Sequence, residues 1–189
     1  MAARHAQTAV IETERLLLRD WREADIEPFI LHLNRPNVMR WLGGVRPPEE
    51  HRRIVRERMM AWQQTRGFTF WALERKADGE LIGFCGLKLA DDAGSPVEGE
   101  MEIGWRLRED AWGQGYAREA ASASLRHAFE TLGVPRVIAL TVVGNRASWG
   151  LMERLGMVRR RELDYRGAAW AEGPVIVYTM ERERWTARG

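Results

Sequence analysis

Gly113 and Gly115 stand one residue apart where a strand-like run gives way to a helix of small residues. The segment reads Trp105-Arg106-Leu107-Arg108-Glu109-Asp110-Ala111-Trp112-Gly113-Gln114-Gly115-Tyr116-Ala117, and Ala120, Ala121, Ser124, Leu125 and Ala128 follow. Glycine lets the main chain approach a ligand closely. The first N–H groups of a helix have no partner within it, and they lie at the positive end of its dipole. Strand, glycine turn and helix start together make a cradle for a phosphate group. Two commoner cradles fail on spacing. No Lys-Ser/Thr follows the second glycine, as a nucleotide P-loop requires. Arg118 occupies the place of the third glycine of a dinucleotide fingerprint, and the motif falls mid-chain. A tight turn without a ligand is the plain alternative for Gly-x-Gly alone.

The elements that must hold this turn can be read from periodicity and punctuation. Residues 15–19 form a first strand. Residues 20–33 hold a turn and a short helix, which Pro36 ends. Pro47-Pro48 opens a second helix over 49–65, with proline where a helix start tolerates it. Strands at 68–74 and 81–89 are joined through Asp78-Gly79, a hairpin signal. The strand at 101–107 precedes the cradle, and the helix at 116–132 follows it. Val137 to Val143 is an unbroken apolar run that suits a strand buried on both faces. A helix spans 145–155 and closes at Gly156, with Met157 able to pack back. Strands at 158–165 and 174–181 form a last hairpin. The intermixing gives one α/β domain over 13–189, preceded by a flexible arm at 1–12.

Composition narrows the possibilities. The 189 residues suffice for one domain with a substantial core. No apolar run approaches membrane-spanning length and no secretory segment opens the chain, so a cytoplasmic protein is expected. The lone cysteine, Cys85, excludes an internal disulfide and reads as a strand core residue. The basic residues are nearly all arginine, with lysine only at 76 and 88, and acids are interleaved to a net charge of +2. Arginine runs at 52–53 and 159–161 therefore read as solvated surfaces, not as a nucleic-acid footprint. No His/Cys/Asp/Glu cluster has metal-ligand spacing. His5, His32, His51 and His127 read as surface or packing residues.

Several segments together resemble the GNAT acetyltransferases. Trp112-Gly113-Gln114-Gly115-Tyr116-Ala117 is similar to that family's pyrophosphate-binding motif. Asn145-Arg146-Ala147-Ser148 with Leu155-Gly156-Met157 is similar to its Asn-x-x-Ser…Leu-Gly-Phe segment. Thr13-Glu14-Arg15-Leu16-Leu17-Leu18-Arg19 and Glu102-Ile103-Gly104-Trp105 also match, and they resemble the branch of the ribosomal-protein N-terminal acetyltransferases. The resemblance spans residues 13–180. It implies a mixed, mostly antiparallel central sheet with flanking helices, whose parallel strands at 101–107 and 137–143 splay apart. Acetyl-CoA, the co-substrate, would lie in that gap, and no metal is implied.

The same resemblance assigns roles. Trp105, Arg106 and Leu107 would hold the pantetheine arm through strand backbone. Trp112, Gly113, Gln114, Gly115, Tyr116, Ala117 and Arg118 would wrap the pyrophosphate, and Asn145 and Ser148 would touch the coenzyme. Glu102 is the candidate base, with Glu100 as alternative on the same face. Met152 stands where many members carry a proton-donating tyrosine, which leaves Ser148 as candidate donor to the leaving thiolate; its plain alternative is helix capping. Trp41 and Trp170, in loops flanking the acceptor mouth, are candidate substrate-binding residues. The expected acceptor is a primary amine, foremost a protein N-terminal α-amine. A polyamine or antibiotic amine is the second reading, and a non-catalytic acyl-CoA-binding module the third. Neither nucleic acid nor membrane is an expected partner, and the chain is expected as a monomer or a homodimer.

Overall fold

Alternating apolar strands bounded by glycine turns build an eight-stranded sheet in a computed structural model, which describes residues 10–187. The strands are β1 (Ile11–Glu12), β2 (Leu16–Arg19), β3 (Phe70–Arg75), β4 (Glu80–Leu89), β5 (Met101–Leu107), β6 (Arg136–Val142), β7 (Val158–Arg159) and β8 (Val175–Glu181). Their order is β1-β2-β3-β4-β5-β6-β8-β7, antiparallel throughout except for the β5–β6 pair. Gly79, at φ 74°, makes the expected hairpin turn and donates its N–H to the Arg75 carbonyl at 2.8 Å.

Two layers of helix cover the sheet. One face carries α1 (Ile26–Leu33), α2 (Pro36–Met39) and the helical run α3 (Pro48–Ile54), a π-helical stretch (Val55–Met60) and α4 (Ala61–Arg66). Trp21, Phe29, Leu33, Val55, Ala72 and Phe84 close the core on this side. Arg19, buried at the end of β2, pairs with Asp25 at 2.7 Å and Glu74 at 2.6 Å, fixing the start of α1 to the sheet. The other face carries α5 (Tyr116–Arg126), which runs on as a π turn over His127–Thr131, with α6 (Arg146–Arg154) nearby. Ala120, Ala121, Leu125 and Ala128 let α5 lie close against Cys85, Ile103 and Leu107. The short helix α7 (Arg182–Thr186) follows β8.

Two expectations need correction. The strand expected over 158–165 stops at Arg159. A 3-10 turn, Arg161–Leu163, replaces its second half, and only Tyr165 bridges back to Val175. The Asp164 carboxylate accepts from the Val177 N–H and from Arg159, taking the place of ladder bonds. Of the arm expected at 1–12, residues 1–9 lie outside the described residues, whereas Ile11 and Glu12 pair with Leu18 and Leu17. Gly156 closes α6 as expected: at φ 85°, it donates to Glu153, and Met157 donates to Met152.

Candidate active site

The donor side is made of main chain. β5 is bonded to β4 as far as Leu107, and β6 to β8 as far as Val142, yet β5 and β6 meet only at Glu102↔Ile138. Beyond that pair each strand turns an unbonded backbone edge into a widening gap. At its open end Gly113 (φ 73°) and Gly115 (φ 82°) adopt left-handed conformations, and Gly115 is the N-cap of α5. The first helical N–H to find a partner is that of Glu119, which bonds to Gly115. The backbone N–H groups from Gly113 through Arg118 meet no protein acceptor among the described residues. This is an array that a pyrophosphate fits.

Side chains brace the cradle from behind. Trp112 is half exposed, and its indole N–H donates to the Leu107 carbonyl at 2.8 Å, clamping the loop to the end of β5. Gln114 Nε2 donates to the Asp110 carbonyl at 2.6 Å. Glu119, in the first turn of α5, accepts from Thr13 Oγ1 at 2.6 Å, from Arg15 N–H at 2.9 Å and from Arg15 Nε at 2.7 Å. Arg15 also donates to the Gln114 carbonyl at 3.0 Å and lies 4.6 Å from the Tyr116 ring centroid. The Thr13-Glu14-Arg15 segment thus locks the start of α5.

Nearly all the candidate residues meet in one cavity of about 1350 Å³. Trp41, Glu102, Trp105, Arg106, Leu107, Trp112, Gly113, Gly115, Tyr116, Ala117, Arg118, Asn145, Ser148 and Trp170 line it, and Gln114 stands outside. Asn145 caps α6 by accepting the Ser148 N–H at 3.4 Å, and the Ser148 hydroxyl has no partner among the described residues. Trp41 lies over the β6–α6 turn so closely that a Cβ on Gly144 would stand 2.6 Å from its ring. Trp170 donates its indole N–H to Asp92 at 3.0 Å, and the Tyr165 hydroxyl bonds the same carboxylate at 2.5 Å. Two loops, one from each end of the chain, roof the acceptor side.

Strand alternation sends Glu102, Gly104 and Arg106 to the face of α1 and α3, and Ile103 and Leu107 to the face of α5. Glu102 is buried at the closed end of the gap, with Lys88 Nζ 3.1 Å from its Oε2. Burial pushes its carboxyl above the ordinary range, and Lys88 partly opposes the shift. Lys88 pairs with Asp91 as well; burial alone would lower its pKa, but the two carboxylates hold it raised. Glu100 is corrected as a candidate base. It pairs with Arg136, two residues before the Glu102↔Ile138 pair on both strands, so it lies beyond the closed end of the gap and does not line the cavity. Cys85 is fully buried and its thiol is pushed up to about 12 by burial, which suits a packing residue.

Sequence reasoning missed Lys88, Asp91, His51 and Thr141, all of which line the cavity. His51, read as surface or packing, is 2 % exposed beside the Phe29 ring, and burial with Arg106 and Arg46 depresses its pKa to about 4. Lys88 carried a faint signal: a lysine in an apolar strand of an arginine-rich chain. No group of three or more His, Cys, Asp or Glu able to hold a metal occurs among the described residues. No helix among them is long and apolar enough to cross a membrane.

A splayed parallel strand pair, with a glycine cradle at its mouth and a covered cavity opposite, defines a GNAT-type acyltransferase. Residues 15–158 match the acetyltransferase (GNAT) domain, and the chain belongs to that family. It is 33% identical over 158 residues to the uncharacterized protein YkkB of Bacillus subtilis, covering 81% of this chain and 87% of that one. It is 31% identical over 162 residues to an FsC-acetyl coenzyme A-N(2)-transacetylase of Aspergillus fumigatus, covering 79% and 66%. An acetyltransferase structure from Agrobacterium tumefaciens superposes with a TM-score of 0.76 at 29% identity, covering 90% of this chain and 93% of that one. The protein is an acetyl-transferring enzyme of the GNAT family, whose members use acetyl-CoA as co-substrate.

Proposed function

We propose that residues 13–189 act as one N-acetyltransferase domain that moves the acetyl group of acetyl-CoA directly to a protein N-terminal α-amine. The observation that carries this reading is the meeting, in one cavity, of the bare N–H cradle at Gly113–Arg118 with the buried carboxylate of Glu102. Acetyl-CoA supplies an activated thioester carbonyl. The chain supplies position, which is the largest contribution proximity can make. Backbone N–H groups of the cradle hold the pyrophosphate, and the free edges of β5 and β6 align the arm.

The amine must be neutral to attack. At pH 7 neutrality costs about 1 kcal/mol for an α-amine and about 4.6 kcal/mol for a lysine amine. A carboxylate whose pKa is raised by burial lies nearer the working pH and makes a better base. As the C–N bond forms and the C–S bond breaks, Glu102 takes the amine proton, and the Ser148 hydroxyl donates to the departing thiolate. Met152, buried in the cavity wall, has no proton to give. A small amine is the second reading, favoured by the roof that Trp41 and Trp170 build over the acceptor side.

A thiol-release assay with acetyl-CoA decides between them. Peptides with free N-termini should be turned over, with activity rising toward about pH 8. Turnover of diamines alone, with a limb rising well past about pH 9, would overturn the α-amine reading.

A further inference from the structure

Arg106 is a half-buried cation of the acceptor side that has no anion. Among the described residues it forms no ion pair and no hydrogen bond, and its Nε is buried without a partner. The guanidinium lies across the sheet, 5.2 Å from the Phe84 ring centroid and 6.0 Å from that of Phe29, and it lines the cavity. Ring faces attract a cation, but far less than the hydration a buried charge gives up. Arg46 adds positive charge, and His51, held neutral by burial, adds none. Arg46 lines the same wall, with one nitrogen on Glu50 at 2.7 Å, and His51 Nε2 is buried there without a partner. Burial first, and Arg46 second, lower the Arg106 pKa to about 10, which leaves it charged at neutral pH. The opposite end of the cavity carries the acidic excess, with Glu102, Asp91 and Asp92 set against Lys88 and Arg58. The acceptor side is therefore polarised, with carboxylates where an amine would dock and guanidinium where an anion would.

We propose that Arg106 binds a carboxylate of the acceptor, so that the enzyme selects amines that also carry a carboxylate several bonds away. The proposal rests on acetyl transfer to a primary amine at this site, and it narrows the acceptor to short peptides and amino acids, or to a protein N-terminus with an Asp or Glu side chain close by. Carboxylate fits the planar fork of a guanidinium. Glu102 and Arg106 lie four residues apart on one face of β5, about 13 Å of strand rise. A free α-amino acid, whose carboxylate is two bonds from its nitrogen, is far shorter than that backbone separation. A short peptide or a long ω-amino acid can. The side chain of Arg106 thus serves the acceptor, while its backbone borders the donor gap.

The test uses alanine, its di-, tri- and tetrapeptides, and ω-amino acids of matched lengths, each as free acid and as amide. Binding is followed by calorimetry on protein saturated with CoA, and turnover by thiol release. The wild type should prefer one or more of the longer free acids over their amides at least tenfold, with free alanine showing no preference. Arg106→Gln should abolish the preference, and Arg106→Lys should keep part of it. Equal binding of acid and amide throughout the series, or no binding of either, overturns the proposal. So does a preference that survives in Arg106→Gln, or a loss of coenzyme affinity matching the loss of acceptor affinity. Failure of the wild type to bind acetyl-CoA would instead sink the acetyltransferase reading.

Discussion

The two halves of the cavity are built from different materials. The proposed donor half is main chain drawn from within residues 101–142: the free edges of β5 and β6, and the N–H groups of Gly113–Arg118. The acceptor half is side chain, drawn from positions far apart: Trp41 and Arg46 before α3, His51 within it, Lys88 and Asp92 at the end of β4, and Trp170 before β8. A backbone site tolerates changes of side chain and suits a group that stays constant, the role proposed above for the pyrophosphate of acetyl-CoA. A side-chain site changes with each substitution and recognises what varies, the amine. Glu102 and Arg106 belong to both halves. Their backbone borders the gap, and their side chains cross to the other face.

The sharpest way to break that division is Glu102→Gln, which keeps shape and removes basicity. Turnover at pH 7 should fall on the order of 100-fold or more, the lower end for a lost general base. Part of it should return as pH approaches the amine's own pKa, where free amine no longer needs help. A loss of the same proportion at every pH would make Glu102 a packing residue. Ser148→Ala comes next. One lost donor to the leaving group should lower turnover by roughly 10- to 100-fold. Coenzyme affinity should fall less than turnover, and equal losses would mean that Ser148 binds without assisting departure of the thiolate.

Lys88→Met produces a smaller effect with a definite sign. Lys88 opposes the upward shift of Glu102, so removing its charge lets burial act unopposed and raises the carboxyl pKa further. The acidic limb of kcat/KM should move to higher pH. A limb that stays in place, or moves down, would mean that another group titrates there. The effect should be confined to the acceptor half, leaving acetyl-CoA affinity unchanged.

The same contrast explains what could be read before the fold was known. The cradle, the order of strands, the closing glycine of α6 and the buried Cys85 all follow from local rules: glycine spacing, strand alternation, helix starts and stops. That Glu102 lines the cavity was legible through the Glu-Ile-Gly resemblance, and that Trp41 and Trp170 line it through their positions in loops. Three features were not. Glu100 sits two residues from Glu102, but the parallel register of β5 and β6 sets it beside Arg136, beyond the closed end of the gap, and Arg136 captures it. Trp112 reads as a coenzyme contact, but its N–H is committed to Leu107, a bond set by how the loop folds back. The direction of the Arg106 side chain, and its lack of a counter-ion, depend on Phe29, Phe84 and Arg46 converging from three separate elements.

The account stands or falls on a backbone cradle for the coenzyme that works independently of the acceptor chemistry. A calorimetric titration of acetyl-CoA into the wild type, Gly115→Val and Glu102→Gln tests this most directly. Gly115 sits at φ 82° with Arg15 Nη2 3.4 Å from where a Cβ would stand, so valine strains the turn and presses on the Arg15 brace behind the cradle. Affinity should drop at least tenfold in Gly115→Val, about 1.4 kcal/mol, and stay within twofold of the wild type in Glu102→Gln. Unchanged affinity in a folded Gly115→Val protein, or equal losses in both variants, would contradict the account.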